Sequence, residues 1–354
     1  MRIGHLGDTL VALPAFWALR KRFPEARLTL LSNFDKKNPH YLAPKAVLPP
    51  AGLFDRFIDY PTNVSASENL FGVLQLCRKI RSSNFDAVFY LMPRARAAKQ
   101  IARDRTFFRM CGCRTVFGLD FTAKNSLAGP IPAPTPEITS ESSHLLALLN
   151  EAGIEADPDD LSTELLLSEA EEKSASDFLS AITLNNGAPL VGIAPGSKWP
   201  SKVWFEERYA EVVARLIDAH DVLPIVLGGP EDRESGDRLI DTWGRGLNGA
   251  GKLQVRESAA VLRRCSLYLG NDTGTMHLAA AVGVRCAAIF AAIDYPGRWT
   301  PFGTGHAIFR RQVECEGCHT PDCFNDNICL KMVTVNEVAE AASMILSQES
   351  SRRG

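Results

Sequence analysis

The sequence predicts an α/β protein with two doubly wound domains, in each of which helices cover a parallel sheet. The chain has 354 residues, more than one ordinary core accommodates, which indicates two domains of about 150 to 200 residues each. Short continuous apolar runs recur along it, as is typical of strands buried on both faces of a parallel sheet. Amphipathic segments separate these runs, and this strand–helix alternation predicts βαβ units.

In the first half, the pattern predicts a helix over residues 9–23, with Pro14 in its first two turns, where proline is tolerated. Strands are predicted at residues 26–32 and 85–92. A segment rich in proline and serine at 129–144 predicts a loop that leads into the helix "SSHLLALLNEAGI".

The second half restarts with a sharper rhythm after a connection predicted between Leu161 and Ala188, which includes the charged helix "SEAEEKSASDFLSAI". The predicted strands are "PLVGIAP", "LPIVLGG", "LYLG" and "RCAAIFA", and the predicted helices between them are "WFEERYAEVVARLIDAH", "EDRESGDRLIDTW" and "GTMHLAAAVG". The last predicted helix is "TVNEVAEAASMILSQ", with Thr334 or Asn336 as its cap.

Composition and net charge limit the kinds of partner that the protein can be expected to bind. Hydrophobic residues make up 45% and charged residues 23% of the chain, as in soluble globular proteins, and no apolar stretch is long enough to predict a membrane span. The net charge of -2 gives no support to a nucleic-acid partner. Six basic residues cluster locally: Arg94, Arg96, Lys99, Arg103, Arg105 and Arg109. They form either an ordinary solvated helix or a positively charged face for an acidic substrate or a membrane. Nine cysteines, an odd number in a chain of this size, predict a reduced cytoplasmic protein.

Candidate binding residues follow three of the predicted strands in the second half. In doubly wound folds, ligands bind beyond the carboxyl ends of the strands, where exposed amides at helix N-termini hold phosphate oxygens. The first loop offers Ser197, Lys198 and Lys202, the second offers Glu231, and the third offers Asp272, Thr273, Gly274 and His277. Lysine adds positive charge, and a carboxylate is suited to accept hydrogen bonds from ribose hydroxyls.

Each of these residues also has a structural interpretation. Asp272 or Thr273 can serve as a helix cap, and His277 can be an ordinary buried histidine among apolar neighbours. The convergence of the three loops on one edge favours a site for a phosphorylated ligand. The P-loop motif G-x-x-x-x-G-K-[ST] is missing from the sequence.

Four segments carry a resemblance to a known family: "GHLGDTLVALPAFWALRKRFPEARLTLL", "APGSKWPSKVWF", "GGPEDRE" and "GNDTGTMHLAAAVG". In this order they resemble the ADP-heptose:lipopolysaccharide heptosyltransferase family, glycosyltransferase family 9. The resemblance implies a GT-B fold, in which two Rossmann-like domains face each other across a cleft. It also implies inverting transfer of a sugar, without a catalytic metal or other required cofactor, from a nucleotide sugar (ADP-heptose) to a glycolipid or glycan acceptor.

Carried over by position, the resemblance implies a role for each motif residue. Asp8 would be the general base that deprotonates the acceptor hydroxyl, with capping of its own helix as a compatible second role. Ser197 and Lys202 would hold the diphosphate, and Glu231 would meet the ribose. The loop from Asp272 through Gly274, with His277, would surround the phosphates and the sugar.

The resemblance further implies an acceptor-binding domain over residues 1–165 and a nucleotide-sugar-binding domain over 166–333. A C-terminal helix within 334–354 would pack back toward the first domain. A lipopolysaccharide acceptor would bring the cytoplasmic protein to the inner face of the membrane as a peripheral contact. Two alternatives stay open: a nucleotide-sugar epimerase of the same fold, and a nucleotide-sugar-binding protein without turnover.

A late cysteine cluster stands apart from these motifs. Within "CEGCHTPDCFNDNICL" lie Cys315, Cys318, Cys323 and Cys329, and a C-x2-C pair followed by two more cysteines can close a tetrahedral zinc site. Free thiols and a local disulfide are the alternatives to a structural zinc.

Overall fold

The computed structural model describes residues 1–38, 41–157, 160–182 and 187–353, without the side chains of 66–70, 352 and 353. It divides into two compact units. The first consists of Met1–Pro130 and Thr139–Leu165, and the second of Ile131–Ile138 and Leu166–Gly354. Among the described residues, no helix is both long enough and apolar enough to cross a membrane.

The first unit is an α/β unit with parallel strand pairs. Its helices are α1 (Leu6–Leu10), α2 (Leu13–Arg22), α3 (Ala66–Ser83), α4 (Ala98–Met110), α5 (Leu119–Lys124) and α6 (Glu141–Glu151). Its strands are β1 (Thr29–Asp35), β2 (Arg56–Thr62), β3 (Val88–Phe89) and β4 (Val116–Phe117). Strand β1 pairs in parallel with β2, and β3 pairs in parallel with β4.

The first predicted helix is interrupted, so the expectation of one helix over 9–23 was wrong. Helix α1 ends at Leu10 and α2 begins at Leu13, with Pro14 near its first position. Proline lacks an N–H group, and its ring clashes with the carbonyl four residues earlier, here that of Leu10. The break lets α1 remain a short turn that carries Asp8.

The second unit contains a six-stranded parallel sheet. In chain order its elements are α7 (Glu169–Leu179), β5 (Leu190–Ala194), α8 (Glu206–His220), β6 (Leu223–Val226), α9 (Arg233–Trp243), β7 (Leu247–Asn248), α10 (Val255–Leu262), β8 (Leu267–Asn271), α11 (Gly274–Ala281), β9 (Cys286–Phe290), β10 (Ala307–Arg310), α12 (Ile328–Lys331) and α13 (Val335–Arg353). The strand order is β10-β9-β8-β5-β6-β7. Strands β5, β8 and β9 are fully buried along their length, as their continuous apolar runs predict.

The last helix belongs to the core of the second unit. Val338, Ala342, Ile345 and Leu346 of α13 pack with the apolar side chains of that unit. Thr334 caps the helix: its hydroxyl accepts the Glu337 N–H at 3.4 Å, and the Glu337 carboxylate accepts the Thr334 N–H at 2.6 Å. Apolar side chains of α13 therefore form part of the core of the second unit, and the expectation that the helix packs back toward the first domain stays a prediction.

A short segment of the predicted loop at 129–144 also belongs to the second unit. The Ile138 N–H donates to the Pro296 carbonyl at 3.0 Å, and the Thr135 N–H donates to Glu316 Oε1 at 2.8 Å. Both partners lie in the second half of the chain. Residues 131–138 are therefore held by hydrogen bonds that a composition typical of loops does not reveal.

The basic run contains two buried arginines. Arg94 is 5% exposed and lies 3.3 Å from the fully buried carboxylate of Glu141, and Arg96 pairs with the buried Asp104. Lys99 and Arg109 are exposed. The run is thus partly an internal ion-pair system, which the sequence interpretation as one surface missed.

We expect the substitution Arg94→Met to lower the free energy of unfolding by about 3 to 5 kcal/mol, because it removes a cation from a buried carboxylate. The exposed Arg109→Met is the control and should change it by less than about 0.5 kcal/mol. Urea denaturation followed by circular dichroism measures both. Equal effects of the two substitutions would contradict a structural role for Arg94.

Candidate active site

The N-terminus of α11 lies at the carboxyl end of β8, where the sequence predicts an anion site. Thr273 occupies the cap position, but its side chain caps none of the helix amides within the described part of the chain. Asp272 turns its carboxylate to Lys202 instead. The first amides of α11, from Gly274 onward, therefore lack the side-chain cap that a purely structural interpretation requires, and such amides attract anions.

Asn271, the last residue of β8, fastens the neighbouring loop to this site. Its side chain is fully buried. Oδ1 accepts the Trp204 N–H at 3.0 Å and the Tyr209 hydroxyl at 2.9 Å, and Nδ2 donates to the Pro195 carbonyl at 2.6 Å. One amide thus joins β8 to the loop that follows β5 and to α8.

Lys202 lies on that loop and contacts Asp272 directly. Its Nζ is 2.6 Å from Asp272 Oδ2 and 3.2 Å from the Asp272 carbonyl oxygen. The side chains of Lys202 and Asp272 are 19% and 8% exposed. Among the described residues these two bonds use two of the three ammonium N–H groups, which leaves the third for an anionic ligand.

Ser197 and Lys198 lie on the same loop. The Ser197 hydroxyl accepts the Trp199 N–H at 3.2 Å, so it stabilises the turn that leads to the short 3-10 helix Pro200–Lys202. The Lys198 side chain is exposed. Ser197 is therefore the more buried of these two predicted donor-binding residues.

Two carboxylates follow β6, and the sequence predicted a role for only one of them. Glu231 is exposed and folds over Gly229, where an added Cβ would collide with it. Asp232 is more buried: its Oδ2 accepts the Gly229 N–H at 2.8 Å, and burial raises its pKa. A Cβ at Gly196 would collide with the Asp232 carboxylate, so Asp232 reaches the loop after β5. Its position three residues after Gly229 is the signal that could have identified it.

His277, in the first turns of α11, is 5% exposed. Burial lowers its pKa from 6.5 to about 4, with the Asp272 carboxylate opposing this shift and Lys202 and His306 adding to it. The Trp299 ring lies 6.3 Å away, centroid to centroid, at an interplanar angle of 64°. His277 is thus a neutral imidazole near pH 7 beside the Lys202–Asp272 pair.

Asp8 lies in the first unit. Its Oδ2 accepts the His5 N–H at 3.0 Å, so it caps α1, and its side chain is 21% exposed. Arg2, fully buried, places Nη2 3.6 Å from Asp8 Oδ1 and donates from Nε to the Asp8 carbonyl at 2.8 Å. A Cβ at Gly4, which has a φ of 127°, would collide with Asp8. The carboxylate is therefore both fixed in place and partly open to solvent.

The late cysteines are free thiols: Cys315, Cys318, Cys323 and Cys329. Their sulfurs accept hydrogen bonds from nearby donors, including the Asn327 N–H on Cys323 at 3.2 Å and the Asn325 side-chain amide on Cys315 at 3.4 Å. Within the described residues, no three or more His, Cys, Asp or Glu side chains are grouped as a metal site. The disulfide alternative is not what the structure contains.

The chain is similar to known proteins of one family. The model of glycosyltransferase family 9 (heptosyltransferase) matches residues 73–329. Lipopolysaccharide heptosyltransferase 2 of Escherichia coli K12 is 26% identical over 222 residues, which cover 58% of this chain and 61% of that protein. The lipopolysaccharide core heptosyltransferase OpsX of Haemophilus influenzae is 23% identical over 313 residues, which cover 85% and 80%. The chain thus spans about three fifths of the first of these curated relatives.

Solved structures show the same fold. The glycosyl transferase family 9 protein of Veillonella parvula superposes with a TM-score of 0.73 at 19% identity, covering 98% of this chain and 97% of that one. The ADP-heptose lps heptosyltransferase II of E. coli gives a TM-score of 0.66 at 19% identity, covering 99% and 98%. The predicted α/β fold of the GT-B type is confirmed.

We expect acid to destabilise the second unit through His277. The unfolded chain binds a proton on this imidazole below pH 6.5 but the folded chain only near pH 4, so stability is lost as the pH falls between these values. The difference amounts to about 3 kcal/mol. Unfolding free energies measured from pH 7 to 4 should fall less steeply in His277→Gln than in the wild type. Parallel pH curves for the two proteins would contradict the buried neutral state.

Proposed function

Since the chain belongs to glycosyltransferase family 9, the heptosyltransferases, we propose that it transfers a sugar from a nucleoside-diphosphate donor to a glycan acceptor. The observation that carries this proposal is the Lys202–Asp272 pair at the N-terminus of α11. Lys202 is partly buried, and it lies beside helix amides that the Thr273 hydroxyl does not cap within the described residues. A positive charge next to uncapped amides suits a diphosphate better than a neutral ligand.

The donor residues act mainly on the leaving group. As the bond between the sugar and its phosphate breaks, negative charge grows on the departing nucleoside diphosphate. Lys202 and the first amides of α11 then bind the transition state more tightly than the ground state, and this difference accelerates the reaction. Ser197 adds a hydroxyl to the diphosphate, Lys198 adds charge at the rim, and Glu231 accepts hydrogen bonds from the ribose.

The acceptor is activated from the first unit in this proposal. Asp8 removes the proton of the acceptor hydroxyl while the oxygen attacks the anomeric carbon from the side opposite the diphosphate, which inverts that carbon. The bonds from His5 and Arg2 hold the carboxylate in one orientation. The donor of this mechanism is ADP-heptose and the acceptor a lipopolysaccharide core, in keeping with the names of the similar proteins.

Two other functions remain to be distinguished by their products. An epimerase of the same fold would convert free nucleotide sugar into its isomer. A binding protein without turnover would hold the nucleotide and release it unchanged. The donor residues suit all three functions, so the acceptor-dependent product decides between them.

We expect Asp8→Asn to lower kcat about 100-fold or more, because the variant keeps the size of the side chain and loses its basicity. ADP affinity should stay within twofold of the wild type. Transfer of labelled heptose from ADP-heptose to a lipid-core acceptor measures the first, and titration calorimetry the second. The exposed Asp86→Asn serves as control, and an unchanged kcat in Asp8→Asn would refute the proposed base.

A membrane contact of the first unit follows from a glycolipid acceptor. Helix α3 exposes Phe71, Val73 and Leu74, which are 60%, 42% and 48% accessible, and carries exposed basic side chains at Arg78 and Lys79. Apolar and basic residues on one exposed helix suit the surface of an anionic bilayer. We place the protein at the inner face of the cytoplasmic membrane as a peripheral protein.

Vesicle sedimentation tests this contact. We expect binding to phosphatidylglycerol vesicles and little binding to phosphatidylcholine. Replacing Phe71 and Leu74 by Ser should weaken binding about tenfold or more, because two apolar side chains no longer enter the bilayer. Met344→Ser, at a residue that is 60% exposed on α13, is the control. Equal sedimentation of the double variant and the wild type would exclude α3 as the contact.

A structural zinc at the late cysteines stays a prediction. It rests on the spacing of Cys315, Cys318, Cys323 and Cys329 and on the N–H donors that their sulfurs accept, which also suit thiolate ligands. When bound, zinc would cross-link this segment and take no part in the transfer. Elemental analysis should find about one metal per chain in the wild type and none in Cys318→Ser; a metal-free wild type would refute it.

A further inference from the structure

The loop that follows β9 holds a tryptophan in a fixed orientation beside the donor residues. Asp294 is 9% exposed, and its Oδ2 accepts the indole N–H of Trp299 at 2.8 Å. Arg298 lies 3.1 Å from the same carboxylate and lowers its pKa, and its guanidinium carbon lies 4.9 Å from the centroid of the Trp299 ring. The side chains of Asp294, Arg298 and Trp299 therefore hold one another in a fixed orientation.

Trp299 nevertheless stays partly exposed. Its ring approaches His277 at 6.3 Å, and the pKa of His277 responds to both Asp272 and Lys202. Lys202 is paired with Asp272, and His277 lies on the helix that begins just after Asp272, so these side chains and Trp299 share one edge of the sheet. Aromatic rings of this kind line small-molecule sites because they offer rigid apolar area.

Strand order tells which part of a donor would reach this ring. At the carboxyl edge, the neighbouring strands run β6, β5, β8, β9. The loop after β6 carries Glu231, the loops after β5 and β8 carry Lys202 and Asp272, and the loop after β9 carries Trp299. Adjacent strands lie about 4.8 Å apart, so this row of four strands spans about 14 Å. The Asp272 N–H bonds to the Ile289 carbonyl at 2.9 Å, which sets the last two loops side by side.

A nucleoside diphosphate sugar is a linear sequence of ribose, two phosphates and sugar. With its ribose at the β6 loop and its phosphates at the β5 and β8 loops, the next position along the row is the β9 loop. We propose that Trp299, held by Asp294 and Arg298, is the residue that contacts the donor sugar and contributes to its selection. The inference rests on the proposed function and adds the sugar subsite to it.

The chemistry at this position suits a sugar. The apolar C–H face of a pyranose packs on an indole, whereas a charged group would meet the positively charged Arg298 nearby. Because the indole N–H is already bonded to Asp294, it is not free to select a hydroxyl. Trp299 therefore recognises the shape of the sugar ring, and nearby polar residues recognise its hydroxyls.

Calorimetric titration with ADP and with ADP-heptose separates this role from general folding. In Trp299→Leu, the affinity for ADP-heptose should fall about tenfold, equivalent to about 1.4 kcal/mol, while ADP affinity stays within twofold of the wild type. Trp299→Phe, which keeps an aromatic ring, should lose less. Trp243→Phe is the matched control, because Trp243 also donates its indole N–H, to the Ala210 carbonyl at 3.0 Å, and lies at the last residue of α9.

The outcomes distinguish the two levels of the proposal. If the wild type prefers ADP-heptose to ADP and Trp299→Leu keeps that full preference, the sugar subsite is wrong while the proposed function stands. If the wild type binds ADP-heptose no better than ADP, the heptose donor and the subsite both fail. If Trp299→Leu loses ADP and ADP-heptose equally, Trp299 is a structural residue and the inference is overturned.

Discussion

The buried side-chain amide of Asn271 is the interaction on which the candidate donor site depends. It bonds to Trp204, Tyr209 and Pro195, so the end of β8, the loop after β5 and the start of α8 share one hydrogen-bond centre. Each buried group left without its partner would cost about 1 to 3 kcal/mol, so the three elements have little freedom to separate. This constraint brings Lys202 to Asp272, because the lysine lies two residues before Trp204 and the aspartate follows Asn271.

Electrostatics then make that junction suited to the anionic ligand of the proposed function. Lys202 and Asp272 neutralise each other in a partly buried setting, and the positive end of α11 lies beside them. In the proposed function, an arriving diphosphate would meet a lysine that is already oriented and amides that are already aligned, so little reorganisation would accompany binding. The neutral His277 adds no further positive charge beside the pair, and its ring lies 6.3 Å from that of Trp299.

The sequence predicted best those elements whose pattern is contained in one short segment of the chain. Continuous apolar runs located β5, β8 and β9, and the charged segment that begins at Ser168 located α7. The convergence of Lys202 and Asp272 was predictable because parallel strands end at one edge. Asp232, Trp299 and the burial of Arg94 were missed, since each depends on packing between segments distant in the chain. The break before α2 was missed because a proline in the first two turns of a helix is tolerated. In a helix that began at Thr9, however, the Pro14 ring would clash with the Leu10 carbonyl.

In the proposed function, the second unit binds a nucleotide through its diphosphate at Lys202 and the N-terminus of α11. The most direct measurement is the ratio of the Kd for AMP to the Kd for ADP, taken by titration calorimetry on the wild type and on folded Lys202→Met. We expect the wild type to prefer ADP by at least about tenfold and the variant to lose most of this preference, while its AMP affinity changes little. An equal preference for ADP in both proteins, or none in the wild type, would contradict this proposal.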